Sequence, residues 1–234
     1  MEKFFLPGGR YQLKFFLNQE IDIKGKSVLV VGSGSEQVAK KLAEESESAV
    51  HLIVEDYDSL MNSKIALDHN PAVDVRLMDF EITDFNQNEF DFIYAQASVS
   101  GSRRNKIIKE LKRILKPEGI FCAGEIVNLK EDMPVFLQDI WESADLDPMN
   151  IGKVDAYYEE RNFEVEETKN LSDILKEYYR INEKMLPETK EGLSEQEKSY
   201  YKKLIKRVSH ESGVYLKQGG DSYIGFYVLV MRKK

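Results

Sequence analysis

The stretch KSVLVVGSGSEQVAKKLAEE, from Lys26 to Glu45, decides the fold of this chain. Four consecutive apolar residues, Val28–Val31, precede Gly32 and Gly34, and a helix-like spacing of apolar residues follows. This order predicts a buried strand joined by a tight turn to a helix. Glycines at such a turn let a ligand approach the backbone, and a helix N-terminus favours negative charge. A tight turn without any ligand would use the same two glycines.

Short apolar runs rich in Val, Ile and Phe alternate with amphipathic stretches along most of the chain. Continuous apolar runs are typical of strands buried on both faces of a parallel sheet. The alternation predicts right-handed βαβ units and an α/β fold with a doubly wound sheet. The predicted strands are 27–31, 50–54, 73–77, 90–95, 119–126 and 163–168, with a final strand within 219–234.

The segment 172–211 carries two apolar stripes at helical spacing and no strand pattern, which predicts a helical hairpin before the last strand. We treat 1–234 as a single domain, with a lead-in helix region at 1–25 and a helical lid insertion at 172–216. The hairpin contains the tyrosines Tyr178, Tyr179, Tyr200 and Tyr201. They either pack the hairpin on the sheet or form an aromatic wall over a substrate.

Composition excludes several classes of protein. The 234 residues are 42% apolar, which is enough for a sizeable core, and the formal charge of -8 argues against a general nucleic-acid binder. The single cysteine, Cys122, lies in an apolar run and is interpreted as a buried core residue. No apolar run is long enough to span a membrane, and we expect a cytoplasmic monomer or homodimer without a metal site.

Acidic residues follow the second and third predicted strands. Glu55 ends the second strand, where a carboxylate can accept hydrogen bonds from both hydroxyls of a ribose. Asp79 follows the third strand, where it could accept from an adenine amino group while Phe80 covers the ring. A solvated charge at a strand end is the alternative interpretation. Gln37 stands where a dinucleotide fingerprint has its third glycine, so a pyrophosphate would be poorly bound.

With these pieces in order, the chain resembles the class I S-adenosylmethionine-dependent methyltransferases of the small type 11 sort. The matching motifs are VLVVGSGS, LIVED, LMDFEITDF, FDFIYAQ and LKRILKPEGIF, which together cover 27–125. The resemblance implies a Rossmann-like, mostly parallel seven-stranded sheet with helices on both faces and an antiparallel last strand. It also implies methyl transfer from S-adenosylmethionine to a small-molecule acceptor, with S-adenosylhomocysteine as the product.

The resemblance also implies roles at the first two strand ends. Gly32, Ser33 and Gly34 would line the methionine part of the cofactor through their backbone. Glu55 would hold the ribose hydroxyls, and Asp56 would lie next to the adenine that Asp79 and Phe80 contact.

Two further groups of residues are implied at the methionine end. Ala95 and Gln96, at the end of the fourth strand, would face the methionine part and the substrate. The lead-in LPGGRYQLKFFL resembles a segment that precedes the core in some of these enzymes, and its Arg10 or Tyr11 would reach the methionine carboxylate.

The chain departs from the family pattern at two positions. Val30 stands where the family usually has an acid that supports the glycine loop, and Ser35 takes the third glycine-like position. Glu36 could substitute for the missing acid. A binding protein that has lost catalysis is therefore one alternative. A nicotinamide-dependent oxidoreductase is another, which Gln37 and the LKPEG motif disfavour.

The catalytic residue is unknown at this level. Methyl transfer from a sulfonium is an in-line displacement that depends on placement and exclusion of water, so no catalytic triad is expected. The candidates for a catalytic role are Tyr178, Tyr179, Tyr200 and His210.

Overall fold

Eight strands form one sheet in the computed structural model, which describes residues 6–68, 70–188 and 211–234. The strands are β1 Val28–Val31, β2 Val50–Val54, β3 Val73–Leu77, β4 Phe90–Gln96, β5 Leu115–Asn128, β6 Met149–Asn150, β7 Phe163–Asn170 and β8 Ile224–Lys233. Seven of them follow the order β3-β2-β1-β4-β5-β8-β7, and the two-residue β6 pairs with β5. β8 is antiparallel to β5 and β7, whereas the other pairings are parallel. The predicted doubly wound, mostly parallel sheet with an antiparallel last strand is confirmed.

Helices cover both faces of the sheet. They are α1 Gly9–Leu17, α2 Glu36–Ser46, α3 Tyr57–Ala66, α4 Arg104–Ile114, α5 Val135–Ser143, α6 Val154–Glu159 and α7 Ser172–Glu188, with a further helical segment at 211–217. Core residues of α1, α2, α5 and α7 pack on one face, and those of α4 and α6 on the other. Within β1, Val30 contributes to the first core and Leu29 to the second, which explains why this strand is apolar throughout.

The LKPEG motif shapes the start of β5. Leu115 pairs with Phe90, but the next pair joins Ile120 to Phe92, so residues 116–119 form a bulge within the strand. β5 therefore begins four residues before its predicted start at residue 119.

The predicted helical insertion is described in part. α7 forms its first arm, and the ring of Tyr179 lies 4.5 Å from that of Tyr215 in the segment 211–217. Tyr200, Tyr201 and His210 lie outside the described residues. Among the helices that the structure describes, none combines the length and apolarity needed to cross a bilayer.

Candidate functional site

A cavity of about 430 Å³ lies beyond the carboxyl ends of β1, β2 and β4. The strand order reverses between β1 and β4, because β2 and β3 lie on one side of β1 and β4 and β5 on the other. Open α/β sheets bind their ligands at this switch point. The cavity is within the size range of small-molecule sites, so it is the candidate functional site.

The glycine loop, residues 32–34 after β1, lines the cavity through Gly32 and Ser33. Gly32 has a φ of 112° and Gly34 a φ of 83°, both in the region that favours glycine. A Cβ on Gly32 would lie 2.7 Å from the Cβ of Ser98, which follows β4. Both Gly32 and Ser98 line the cavity. A side chain at position 32 would prevent the loops that follow β1 and β4 from packing against each other.

Glu36 supports this loop from the first turn of α2. Its Oε1 accepts a hydrogen bond from the N–H of Gly34 at 3.2 Å and another from Oγ of Ser63 at 2.6 Å. Val30, where the family has an acid, is fully buried in the core. Glu36 thus connects the glycine loop to α3. Glu36 is absent from the described cavity lining.

Glu55 lies at the end of β2 and lines the cavity. Its Oε1 accepts from the N–H of Phe80 at 3.2 Å, and its Oε2 accepts from Nη2 of Arg103 at 2.6 Å. Nη1 of Arg103 lies 3.4 Å from Oδ1 of Asp79 and 3.4 Å from Oε1 of Glu81. The hydrogen bond to Glu55 raises the pKa of Arg103 above its ordinary value. One guanidinium therefore joins the acids that follow β2 and β3.

Asp56 and Phe80, which were also predicted to lie at the adenine, have structural roles as well. Asp56 caps α3, because Oδ1 accepts from the N–H of Ser59 at 2.8 Å and Oδ2 from its hydroxyl at 2.6 Å. Phe80 is buried in the core with 5% exposure while it contributes to the cavity wall. Both residues line the cavity, and Asp56 does so with its hydrogen bonds directed into its own helix.

The N-terminal segment closes one wall. Gln96 is buried, and its Nε2 donates to the carbonyl oxygens of Pro7 at 2.7 Å and Gly9 at 2.9 Å, while its Oε1 accepts from the hydroxyl of Tyr94 at 2.9 Å. Burial raises the pKa of Tyr94 well above its ordinary value, so this hydroxyl stays a donor. Leu6 and Pro7 line the cavity as a result.

The structure brings most of the predicted site residues together. Those that line the cavity are Gly32, Ser33, Glu55, Asp56, Phe80, Gln96, Tyr178 and Tyr179. Four predicted residues are absent from the described lining: Tyr11, Gly34, Asp79 and Ala95. Asp79 reaches the site only through Arg103, whereas the other two candidates, Tyr200 and His210, lie outside the described residues.

Ala95 and Tyr11 lie elsewhere for identifiable reasons. Ala95 is fully buried, and its carbonyl accepts from Nε2 of Gln12 at 3.0 Å. β4 runs one residue further than predicted, so Ala97 and Ser98 take the expected place at the cavity. The ring of Tyr11 is 38% exposed and lies 5.6 Å from the guanidinium carbon of Arg10.

Ser98, Arg103 and Trp141 are among the cavity residues that were not predicted from the sequence. Trp141 is 7% exposed, and its Nε1 has no hydrogen-bond partner among the described residues. It lies on α5, which the sequence analysis did not predict. The spacing of Leu137 and Trp141, four residues apart, is the signal that would have indicated this helix.

A buried charged network fixes the loop between β4 and α4. Glu125 accepts from the hydroxyls of Tyr158 at 2.5 Å and Ser100 at 2.6 Å, and its Oε1 lies 3.3 Å from Nε of Arg104. Nη2 of Arg104 donates to the carbonyl of Asp147 at 2.6 Å. Burial and the neighbouring carboxylate raise the pKa of Tyr158 well above its ordinary value. The network holds the residues on either side of Arg103 and thereby the cavity wall.

The chain is similar to known proteins in part of its sequence and in its fold. Residues 29–123 match the family described as Methyltransferase domain. The chain superposes on S-adenosylmethionine-bound phosphoethanolamine N-methyltransferase 2 of Haemonchus contortus with a TM-score of 0.75 and 16% identity, over 97% of this chain and 53% of that one. It superposes on geranyl diphosphate C-methyltransferase of Streptomyces coelicolor A3(2) with a TM-score of 0.68 and 11% identity, over 97% and 78% of the chains.

A third similar structure is named for a different reaction. The 4+2 cyclase SpnF superposes with a TM-score of 0.76 and 19% identity, over 96% of this chain and 80% of that one. No curated protein matches the sequence.

Proposed function

Because the chain has the class I methyltransferase fold and matches the methyltransferase domain over residues 29–123, we propose that it transfers a methyl group from S-adenosylmethionine to a small-molecule acceptor. The observation that carries the proposal is the cavity at the switch point of the sheet. It is lined by the bare glycine loop of β1 and by the carboxylate of Glu55 at the end of β2.

The residues present fit the proposed cofactor. The two oxygens of Glu55 suit the two hydroxyls of a ribose, as carboxylates at the end of the second strand do in nucleoside-binding folds. Gly32 and Ser33 would border the methionine part, and the volume of about 430 Å³ suits a small-molecule ligand. The S-adenosylmethionine and S-adenosylhomocysteine bound to two of the similar structures support the same cofactor here.

S-adenosylmethionine would supply an activated methyl group on a sulfonium. The chain's own contribution is then to hold the two reactants in line and to exclude water, which can account for several kcal/mol of barrier lowering. The apolar part of the cavity wall is formed by Leu6, Pro7 and Trp141. Tyr178 and Tyr179 line the same cavity. Aromatic faces attract a sulfonium by cation–π interaction.

Several features support a small-molecule acceptor. The cavity is lined by residues of α4, α5 and α7, and a formal charge of -8 does not favour a nucleic-acid substrate. The names of two similar structures, a phosphoethanolamine and a geranyl diphosphate methyltransferase, give small molecules as the substrates of those proteins.

Titration calorimetry with S-adenosylmethionine, S-adenosylhomocysteine and NAD tests the cofactor. We expect the first two to bind, and Glu55→Ala to weaken donor binding by about 1–3 kcal/mol, since it removes a charged hydrogen-bond acceptor. Asp58→Asn is the matched control, because Asp58 is a nearby exposed acid outside the described cavity lining. Unchanged affinity in Glu55→Ala contradicts the assignment of the ribose site.

Turnover tests the reaction separately from binding. Formation of S-adenosylhomocysteine with a panel of amine, hydroxyl, thiol and carbon acceptors is expected from a methyltransferase. Donor binding without turnover across the panel favours a non-catalytic binding module or a reaction such as the one for which SpnF is named. Binding of NAD alone favours the oxidoreductase alternative.

A further inference from the structure

β3 is the last strand at one end of the sheet, and no strand of the described residues pairs with its outer side. The carbonyl of Ala72 accepts from β2 at 2.9 Å, and the N–H of Met78 donates to β2 at 2.9 Å. Alternate residues of a strand direct their N–H and C=O groups to the same side. Residues 74 and 76 therefore also bond to β2, and the peptide groups of Val75 and Leu77 point outward.

The two charged residues of β3 have opposite signs and lie on one face of the strand. Nε of Arg76 lies 2.7 Å from Oδ2 of Asp74, and the side chains are 42% and 46% exposed. Leu77, on the other face, is 46% exposed. A second β3 strand placed antiparallel about Val75 would set each Asp74 opposite an Arg76.

We propose that the chain forms a homodimer in which the β3 strands of two copies pair antiparallel about Val75. In this register Val75 exchanges hydrogen bonds with its symmetry mate, and the N–H of Leu77 donates to the carbonyl of Val73. The N–H of Val73 is already bonded to Asn70 within the chain. Asp74 and Arg76 then form the non-hydrogen-bonded cross-strand pairs, in which side chains lie closest.

Apolar surface beside the strand supports a partner at this end. α3 packs against β3 and exposes Tyr57, Met61 and Ile65, spaced four residues apart along the helix, at 65%, 41% and 62%. With Leu77 and the 74% exposed Ile82, these are five of the eight large apolar residues that are exposed in the described part of the chain. Such clustering of exposed apolar residues is typical of an interaction surface.

The charge pattern selects a second copy over other partners. Single edge strands often carry charges that prevent pairing, and like charges placed opposite each other repel. Here a two-fold axis through Val75 places opposite charges together in both halves of the interface. A foreign strand would match only if it carried the same acid–base alternation. The inference is independent of the proposed methyl transfer.

Sedimentation equilibrium of the full chain tests the dimer. Arg76→Asp places two acids opposite each other, and Asp74→Arg places two bases opposite each other, so each is expected to raise the dimer dissociation constant at least tenfold. A mixture of the two single variants is expected to form a heterodimer, since each acid then faces a base. The double variant D74R/R76D should dimerise again.

Matched controls make the outcome decisive. Glu164→Arg changes the charge of an exposed residue on β7, at the opposite edge of the sheet, and should leave the dimer unchanged. Far-ultraviolet circular dichroism checks that each variant is folded. A monomeric wild-type chain at 100 µM or so, a dimer that both single variants leave intact, or a mixture that stays monomeric would each overturn the proposal.

Discussion

Nη2 of Arg103 lies 2.6 Å from Oε2 of Glu55, so the carboxylate proposed to hold the ribose is already paired with a guanidinium. Arg103 is 38% exposed and precedes α4, whereas its neighbour Arg104 is buried and bonded to the carbonyl of Asp147. The backbone at Arg103 is therefore fixed while its side chain reaches the cavity. A ribose that binds Glu55 has to share or displace this contact.

Replacing Arg103 is expected to tighten donor binding. Arg103→Ala removes the competitor for Oε2 of Glu55 and leaves an acidic rim that attracts the sulfonium, so affinity for S-adenosylmethionine should rise about threefold to tenfold. Titration calorimetry measures the change. Lys106→Ala is the control, since Lys106 lies in the first turn of α4 and its Nζ is 2.9 Å from Oε2 of Glu81. Weaker binding in Arg103→Ala would instead make Arg103 part of the binding surface.

Removing the carboxylate of Glu36 is expected to loosen the glycine loop. Glu36→Ala deprives the Gly34 N–H and the Ser63 hydroxyl of their shared acceptor, and we expect unfolding free energy to fall by about 1–2 kcal/mol with weaker donor binding. Urea denaturation and calorimetry measure the two effects. Glu36→Gln keeps an acceptor oxygen, so its unfolding free energy and donor affinity should lie between those of the wild type and Glu36→Ala. Lys40→Ala, at an exposed position on the same helix, should change neither quantity. Wild-type behaviour of Glu36→Ala would refute the supporting role.

The buried pair of Glu125 and Arg104 is expected to behave as a unit. Glu125→Leu leaves Arg104, which is 4% exposed, without its counter-charge and should cost about 3–5 kcal/mol of unfolding free energy. Adding Arg104→Met to that variant should cost less than the sum of the single changes. Urea denaturation of the three variants measures the coupling. Simple additivity would show that the two charges do not depend on each other.

Asp91 makes stability depend on acid pH. Partial burial acts to raise its pKa, but hydrogen bonds from Lys116 at 2.8 Å and from Ser27 outweigh this and lower the pKa to about 2. A lowered pKa in the folded state stabilises fully above the unfolded value near 3.9, and the effect is lost as pH falls towards 2. The unfolding free energy of the wild type should therefore exceed that of Asp91→Asn by about 1–2 kcal/mol at pH 6 and by much less at pH 2.5.

Urea denaturation at the two pH values measures this difference. Asp132→Asn, at an exposed position, serves as the control and should differ little from wild type at either pH. If the unfolding free energies of the wild type and Asp91→Asn differed by the same amount at both pH values, the result would contradict the lowered pKa.

β1 is readable from sequence because it is a continuous apolar run buried on both faces. β2 and β3 match their predicted bounds, and Glu55 follows directly from the end of β2. The error at β4 is one residue, because Gln96 is polar yet extends the strand to bind the backbone at 7 and 9. An isolated polar residue gives no local sign of such a distant partner.

Arg103 and Trp141 could not be assigned from local pattern. The contact between Arg103 and Glu55 joins residues 48 positions apart, one just before α4 and the other just after β2. Trp141 reaches the cavity only because α5 packs back over the sheet. Tertiary packing brings both side chains to the cavity, and the composition of the surrounding segments does not indicate that position.

Leu6 and Glu211 border the same cavity, although 205 residues separate them in the sequence. At a synthesis rate of about 5–20 residues per second, the ribosome adds these two positions roughly 10–40 s apart. The parallel strands can assemble during that interval, but one wall of the pocket has not yet been made. The strands β1 to β5 are thus synthesised well before the closed binding site is complete, and β8, which joins β5 to β7, follows last.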